Sequence, residues 1–137
     1  MKKLRLVEFF RRGDGTKPVS DWLEDLDDAR AQSVAMGVKF FEEYPSLIIP
    51  AYLFEKVTTH IWEIKVHHGK EQFRLYSFKD EALVVAAVGV NKKWQKARNS
   101  DLNLAEERRT EHFERKKAKK KGSKGKCPKV KFNPNPN

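Results

Sequence analysis

The chain has 137 residues, 35% of them charged, a formal net charge of +10 and a single cysteine. That length fits one domain able to bury a core without staples, and Cys127 alone excludes an internal disulfide, which leads us to expect a reducing, cytoplasmic setting. No stretch approaches the ~20 apolar residues of a membrane span and no apolar run of signal-peptide length follows Met1-Lys2-Lys3, so the expectation is a soluble protein with no membrane partner.

The distribution of charge says more than its total. Residues 115–137 hold ten Lys and Arg and no acid; the remaining 19 bases balance 19 acids in residues 1–114. The balanced part is polarised: residues 8–55 carry ten acids against five bases, residues 56–100 nine bases against four acids. A cationic second half favours one face for a polyanion.

In chain order, Leu4 to Phe10 reads as a first strand ended by the turn Arg12-Gly13-Asp14-Gly15. The Arg-Gly-Asp tripeptide there resembles an integrin-binding sequence and is read as a turn. Pro18 opens a helix whose Val19, Trp22, Leu23 and Leu26 form one apolar stripe, and Asp27-Asp28 breaks or caps it. A second helix, from about Ala29 to Tyr44, aligns Val34, Val38 and Phe41 before Pro45 ends it. Between Pro45 and Thr59 apolar residues occur without a period and Pro50 interrupts them, so an irregular, packed connection is expected.

From His60 to His67 the alternation is strict, with Trp62, Ile64 and Val66 on one side and Ile61, Glu63, Lys65 and His67 on the other. Gln72 to Phe78 alternates as well, and His68 to Glu71 supplies the turn between them. A turn centred between Gly69 and Lys70 sets Val66 opposite Phe73, Ile64 opposite Leu75 and Trp62 opposite Ser77. The same register opposes Lys65 to Arg74 and Glu63 to Tyr76 on the side the apolar residues leave free. Like charges directly opposite each other destabilise a sheet. An anion between Lys65 and Arg74 would resolve the conflict; so would two flexible side chains splayed into water.

After Lys79-Asp80-Glu81, the apolar run Ala82 to Val90 reads as a central strand buried on both faces, delivering Asn91, Lys92, Lys93 and Lys96 at its exit. A charged helix follows from Ser100 or Asp101 to about Lys119, and the low-complexity sequence beyond Ala118 is expected to be disordered. The domain boundaries are thus 1–114 and a Lys-rich tail, 115–137. His60, His67 and His68 do not share a strand face at ligand spacing, so no metal and no cofactor is expected. Trp62 reads as packing, while Trp94, beside the lysines, is a candidate platform for stacking on a base.

Several stretches resemble the RelE/HigB superfamily of bacterial toxins, in its phage-derived branch. Lys17-Pro18-Val19 with Trp22-Leu23 resembles the opening helix of that branch, Ile61-Trp62-Glu63-Ile64-Lys65 its Leu-Trp-Glu-Leu-Arg strand, and Phe73-Arg74-Leu75-Tyr76 its Tyr-Arg-Val-Phe strand. Val88-Gly89-Val90-Asn91-Lys92-Lys93-Trp94-Gln95-Lys96 resembles its Gly-Phe-x-Lys-Lys-Thr-x-Lys segment, with Asp101, Leu102 and Ala105 following at the right distance. Departures are Ala97-Arg98 where Thr-Pro is usual, Lys65 where Arg is usual, and the basic tail.

The resemblance implies an α+β fold: a small, mostly antiparallel twisted sheet with a helical hairpin on one face and a C-terminal charged helix. It also implies a toxin that cuts messenger RNA on the ribosome without metal, neutralised by an antitoxin that is often a helix-turn-helix protein. Cleavage by a ribose 2′-oxygen needs a proton acceptor, a donor to the leaving 5′-oxygen and cations around the phosphate. Matched by motif, Arg74 and Lys93 would bind the phosphate and Lys65 would serve as base or charge stabiliser. His67 would be the general acid, with Lys92, Lys96, Tyr76 and Trp94 contacting RNA. Two rivals share the fold: a ParE-like inhibitor of DNA gyrase, and a non-catalytic RNA- or ribosome-binding module.

Overall fold

The computed structural model describes residues 3–92 and 97–124; Lys93, Trp94 and Lys96 lie outside the described residues, as does the chain from 125 onward. In order, the elements are β1 (Leu6–Phe9), α1 (Pro18–Glu24), α2 (Asp28–Glu43), β2 (Phe54–Lys56), β3 (Trp62–His68), β4 (Glu71–Asp80), β5 (Leu83–Lys92) and α3 (Asn99–Lys124). One five-stranded sheet has the order β1-β5-β4-β3-β2, antiparallel throughout except that β1 runs parallel to β5. The α+β architecture is the expected one.

Binary alternation explains the hairpin. Val66 pairs with Phe73, Ile64 with Leu75, Trp62 with Ser77, Lys65 with Arg74 and Glu63 with Tyr76, the register read from the sequence. Gly69, at φ 61°, supplies the left-handed residue the two-residue turn requires. The connection expected to be irregular contains a strand, β2, too short to show a period; it pairs Phe54 with Ile64 and Glu55 with Glu63. On β5 the register slips so that Tyr76 faces Val88 and Ser77 faces Ala86. Ala87 bulges out, and both Ala87 and Val88 turn to the same core.

The sheet is covered on both faces. On one, α1 and α2 bury Val19, Val34 and Phe41 against Ile64, Val66, Phe73, Leu75 and Ala86. Close approach is possible because two positions lack a side chain. A Cβ on Gly89 would lie 2.4 Å from the Trp22 ring, and one on Gly37 would lie 2.7 Å from Val66 Cγ2. On the other face α3 packs Ala105, with Leu102 and Phe113, on Tyr76, Phe78, Val85, Ala87 and Val88. The sheet face that the apolar residues of the hairpin leave free is therefore partly core, a correction to the sequence reading. α3 also runs past the expected end near Lys119 to Lys124, because Lys and Ala are good helix formers and outweigh the single Gly122. It crosses the expected 114/115 boundary.

The edge at β1 is closed by α2. The Glu42 carboxylate accepts from Val7 N at 2.7 Å, and the Arg5 guanidinium donates to the carbonyls of Phe41 (2.6 Å), Tyr44 (3.3 Å) and Ser46 (2.7 Å), capping the C-terminus of the helix. No helix among the described residues is long and apolar enough to cross a membrane.

Candidate functional site

The hairpin presents a row of charges on the face that α3 shares. β3 contributes Glu63, Lys65 and His67, β4 contributes Gln72, Arg74 and Tyr76, and β2 adds Glu55 beside them. Lys65 and Arg74 are opposed directly, and so are Glu55 and Glu63. Neither an external anion nor splaying into water resolves the like-charge contacts. Instead each cation takes a carboxylate: Lys65 Nζ lies 2.6 Å from Glu55 Oε1, and Arg74 Nη1 lies 2.9 Å from Glu63 Oε2. Two repulsive rungs thereby become a checkerboard of attractive pairs.

The two pairs differ in environment. Arg74 and Glu63 have side chains only 7% and 8% exposed, and Arg74 also donates to Gln72 Oε1. Even so, Glu63 Oε1 and Arg74 Nε are buried with no hydrogen-bond partner among the described residues. A buried carboxylate oxygen and a buried guanidinium N–H left unmade are costly. Lys65, by contrast, is held by Glu55, whose side chain is 48% exposed. Solvent screens that pair, and a competing anion displaces it at little cost. Lys65 lowers the Glu55 pKa through this hydrogen bond first and then through its charge.

Tyr76 does not offer its ring to a base. It is 1% exposed, packed with Ala105 and Val88 in the core beneath α3. Burial, followed by the carboxylates of Glu63 and Asp101, pushes its hydroxyl up to about 12. It is a neutral packing residue whose polar end borders the charged row. His67 is exposed at the open end of β3, whereas His68 turns to Ser33 Oγ at 2.7 Å and His60 lies 3.5 Å from Glu106. Lys92 ends β5 opposite Gln72, at the same end of the sheet as His67. The start of α3 adds Arg98, 70% exposed, with Asp101 at 3.3 Å. Trp62 packs on Phe54 with ring centroids 4.8 Å apart, under the Lys79 ammonium at 3.9 Å.

The structure thus brings together Lys65, Arg74 and His67, removes Tyr76 into the core, and adds Glu55, Glu63 and Gln72, to which the sequence reading gave no role. Glu63 was legible in principle, being on the same face two residues from Lys65 and diagonal to Arg74. Glu55 was not, because no strand was expected there. Among the described residues no group of three or more His, Cys, Asp or Glu is arranged to hold a metal ion. Chemically, the row is a set of cations backed by carboxylates, with Lys65 and Glu55 at its more exposed end and the His67 imidazole exposed beside them.

No curated protein matches the chain. The family described as phage derived protein Gp49-like matches residues 21–110, which run from α1 through the whole hairpin and into α3. That stretch is more than half of the chain and contains the charged row, so this protein belongs to the phage-derived Gp49-like family, a membership compatible with a toxin of a toxin–antitoxin system.

Proposed function

We propose that this protein is the toxin of a type II toxin–antitoxin pair of RelE/HigB type, and that it acts as a ribosome-dependent messenger-RNA endoribonuclease in the cytoplasm. The observation that carries the reading is the directly opposed Lys65 and Arg74 on one face of the hairpin, in a chain of the phage-derived family. In this reading Lys65 leaves Glu55 for the scissile phosphate, while Arg74, fixed by Glu63 and Gln72, supplies a preorganised positive field. By the resemblance alone, Lys93 would join them at the phosphate and Lys92, Trp94 and Lys96 would contact the message. The ribose 2′-oxygen attacks the phosphate and gives its proton to the Glu55 carboxylate that Lys65 has left, while His67 gives a proton to the leaving 5′-oxygen. The antitoxin, a helix-turn-helix protein, neutralises the toxin by covering this face.

The test is incubation of purified protein with a defined message, with and without programmed ribosomes, and mapping of new 5′ ends by primer extension. Cuts that require ribosomes and disappear in Lys65→Ala and His67→Ala support the reading. An intact message in both mixtures, with translation still arrested, overturns the catalytic roles. The burial of Arg74 favours a second reading, a non-catalytic ribosome-binding module, in which arrest without cleavage is the expected result.

A further inference from the structure

A second cationic surface lies at the opposite edge of the sheet from the hairpin. Where β1 ends, the chain passes through Arg11 and Arg12 into the turn before Lys17. The turn's own acid, Asp14, is occupied: it accepts from Thr16 N at 2.9 Å and from Thr16 Oγ1 at 2.7 Å. The turn is docked on α3, since Gly13 N donates to Glu111 Oε2 at 3.1 Å and the Arg115 guanidinium donates to the Arg11 carbonyl. Docking encloses a groove of about 490 Å³ between β1 and α3, with Arg11, Lys17 and Arg115 on its walls and Glu8 as its acid.

These cations are poorly neutralised. Arg11 and Lys17 make no ion pair among the described residues, and Arg115 reaches Glu111 only at 4.0 Å. Below them Arg108 lies over the Phe10 ring at 6.0 Å and donates to the Ala87 carbonyl at 2.7 Å, while its Nε is buried and unpartnered. Burial, then the charge of Arg12, draws the Arg108 pKa down, as expected of cations gathered without enough counter-charge. Positions 108, 115 and 119 fall on one stripe of α3, with His112, held by Asp80 at 2.9 Å, between them. From 108 to 119 this stripe extends ~16 Å, about the rise of five phosphates in a stacked strand. A line of that length suits a polymer better than a small anion.

We propose that the groove between β1 and α3 binds the phosphodiester backbone of single-stranded nucleic acid, with Arg11, Lys17 and Arg115 as its contacts. This goes beyond the cleavage reading and needs no cleavage. A protein that never cuts a message can still bind here.

The experiment is fluorescence anisotropy of the full-length protein with a labelled 12-nucleotide RNA and the DNA of the same sequence, over a series of salt concentrations. The variant is Arg11→Gln/Lys17→Gln, whose side chains anchor nothing in the fold, with Lys17→Gln alone as the milder form. The control, Lys39→Gln/Lys70→Gln, removes the same charge from exposed positions elsewhere. Each lost phosphate contact lowers the salt slope by about 0.7. The groove variant is therefore expected to lose about 1.4 from the slope and at least tenfold in affinity at 50 mM salt on both strands, while the control stays near wild type. Equal losses in groove variant and control would reduce the effect to net charge and overturn the proposal. So would unchanged binding by the groove variant, or a loss confined to RNA.

Discussion

Replacing Arg74 tests the buried half of the checkerboard. In Arg74→Ala the Glu63 carboxylate, 8% exposed and already short of one partner at Oε1, loses its only cation among the described residues. Breaking such a pair by removing one member costs about 3–5 kcal/mol, because it leaves an uncompensated buried charge. Against a total of about 5–15 kcal/mol for a domain, that is a large fraction. With a urea dependence of about 1.5 kcal/mol per molar, the midpoint falls by roughly 2–3 M. Arg74→Met/Glu63→Leu removes both charges, and its stability is expected within about 1 kcal/mol of wild type or above it. The assay is urea unfolding followed by far-ultraviolet circular dichroism for wild type, Arg74→Met, Glu63→Leu and the double, closed as a cycle, with Arg74→Ala beside them. A cost below 1 kcal/mol for either single variant, as for an exposed ion pair, would refute the argument that burial makes this pair all-or-none. The result also bears on function: lost toxicity in Arg74→Ala is interpretable only at temperatures where that variant is folded.

Four further substitutions follow from the packing and the side-chain hydrogen bonds. Gly89→Ala drives a methyl into the Trp22 ring and Gly37→Ala drives one into Val66; each is expected to lower stability by about 2–3 kcal/mol in urea unfolding, and Gly89→Ala is expected to recover in part when Trp22 is shortened to Leu. Arg5→Ala takes the guanidinium from the carbonyls of Tyr44 and Ser46 just past α2 and leaves the Phe41 carbonyl with the Tyr44 N–H alone; a loss of about 1–3 kcal/mol should appear with faster hydrogen exchange in the last turn of that helix before anywhere else. Arg30 grips Glu71 at both carboxylate oxygens and, by hydrogen bonding first, holds its pKa down to about 2 from 4.5. A lowered folded-state pKa stabilises above the unfolded value and is lost as pH falls through the folded one. The difference in melting temperature between wild type and Arg30→Ala should therefore shrink between pH 4.5 and 2; a constant difference would rule this linkage out.

The parts of this fold legible in the sequence are those where period and burial agree. The hairpin register followed from Trp62, Ile64 and Val66 against Phe73, Leu75 and Ser77, because a slip of one residue would send charges into the core. Pro18 marked a helix start through local chemistry; the Asp27-Asp28 pair, read as ending the first helix, instead supplies the N-cap of α2, Asp27 accepting from Arg30 N at 2.8 Å. Illegible were the features that only tertiary contact creates. β2 is three residues long and carries no pattern of its own, so Glu55 could not be set beside Lys65. Leu102, Ala105 and Phe113 align only loosely on a charged helix, with nothing local to say which sheet face they cover, and so Tyr76 looked free. The groove at β1 joins residues about a hundred positions apart, Gly13 and Arg11 with Glu111 and Arg115, a proximity no local reading contains.

The unequal environments of the hairpin's two ion pairs also order the proposed roles of their cations. A phosphate approaching this face must compete with a carboxylate for either cation. Displacing Glu63 from Arg74 would strand a buried charge, a loss no single phosphate contact offsets unless it enters the same space and meets the orphaned Nε. Displacing Glu55 from Lys65 only returns a half-exposed carboxylate to water. Lys65 is therefore the cation that can move to a ligand, and Arg74 is the one whose charge is already in place before a ligand arrives. Transition-state stabilisation draws most on charges that need not reorganise. On that argument Arg74 acts through its field and Lys65 by direct contact, the reverse of what their side-chain chemistry alone suggests, since the forked guanidinium is ordinarily the phosphate clamp.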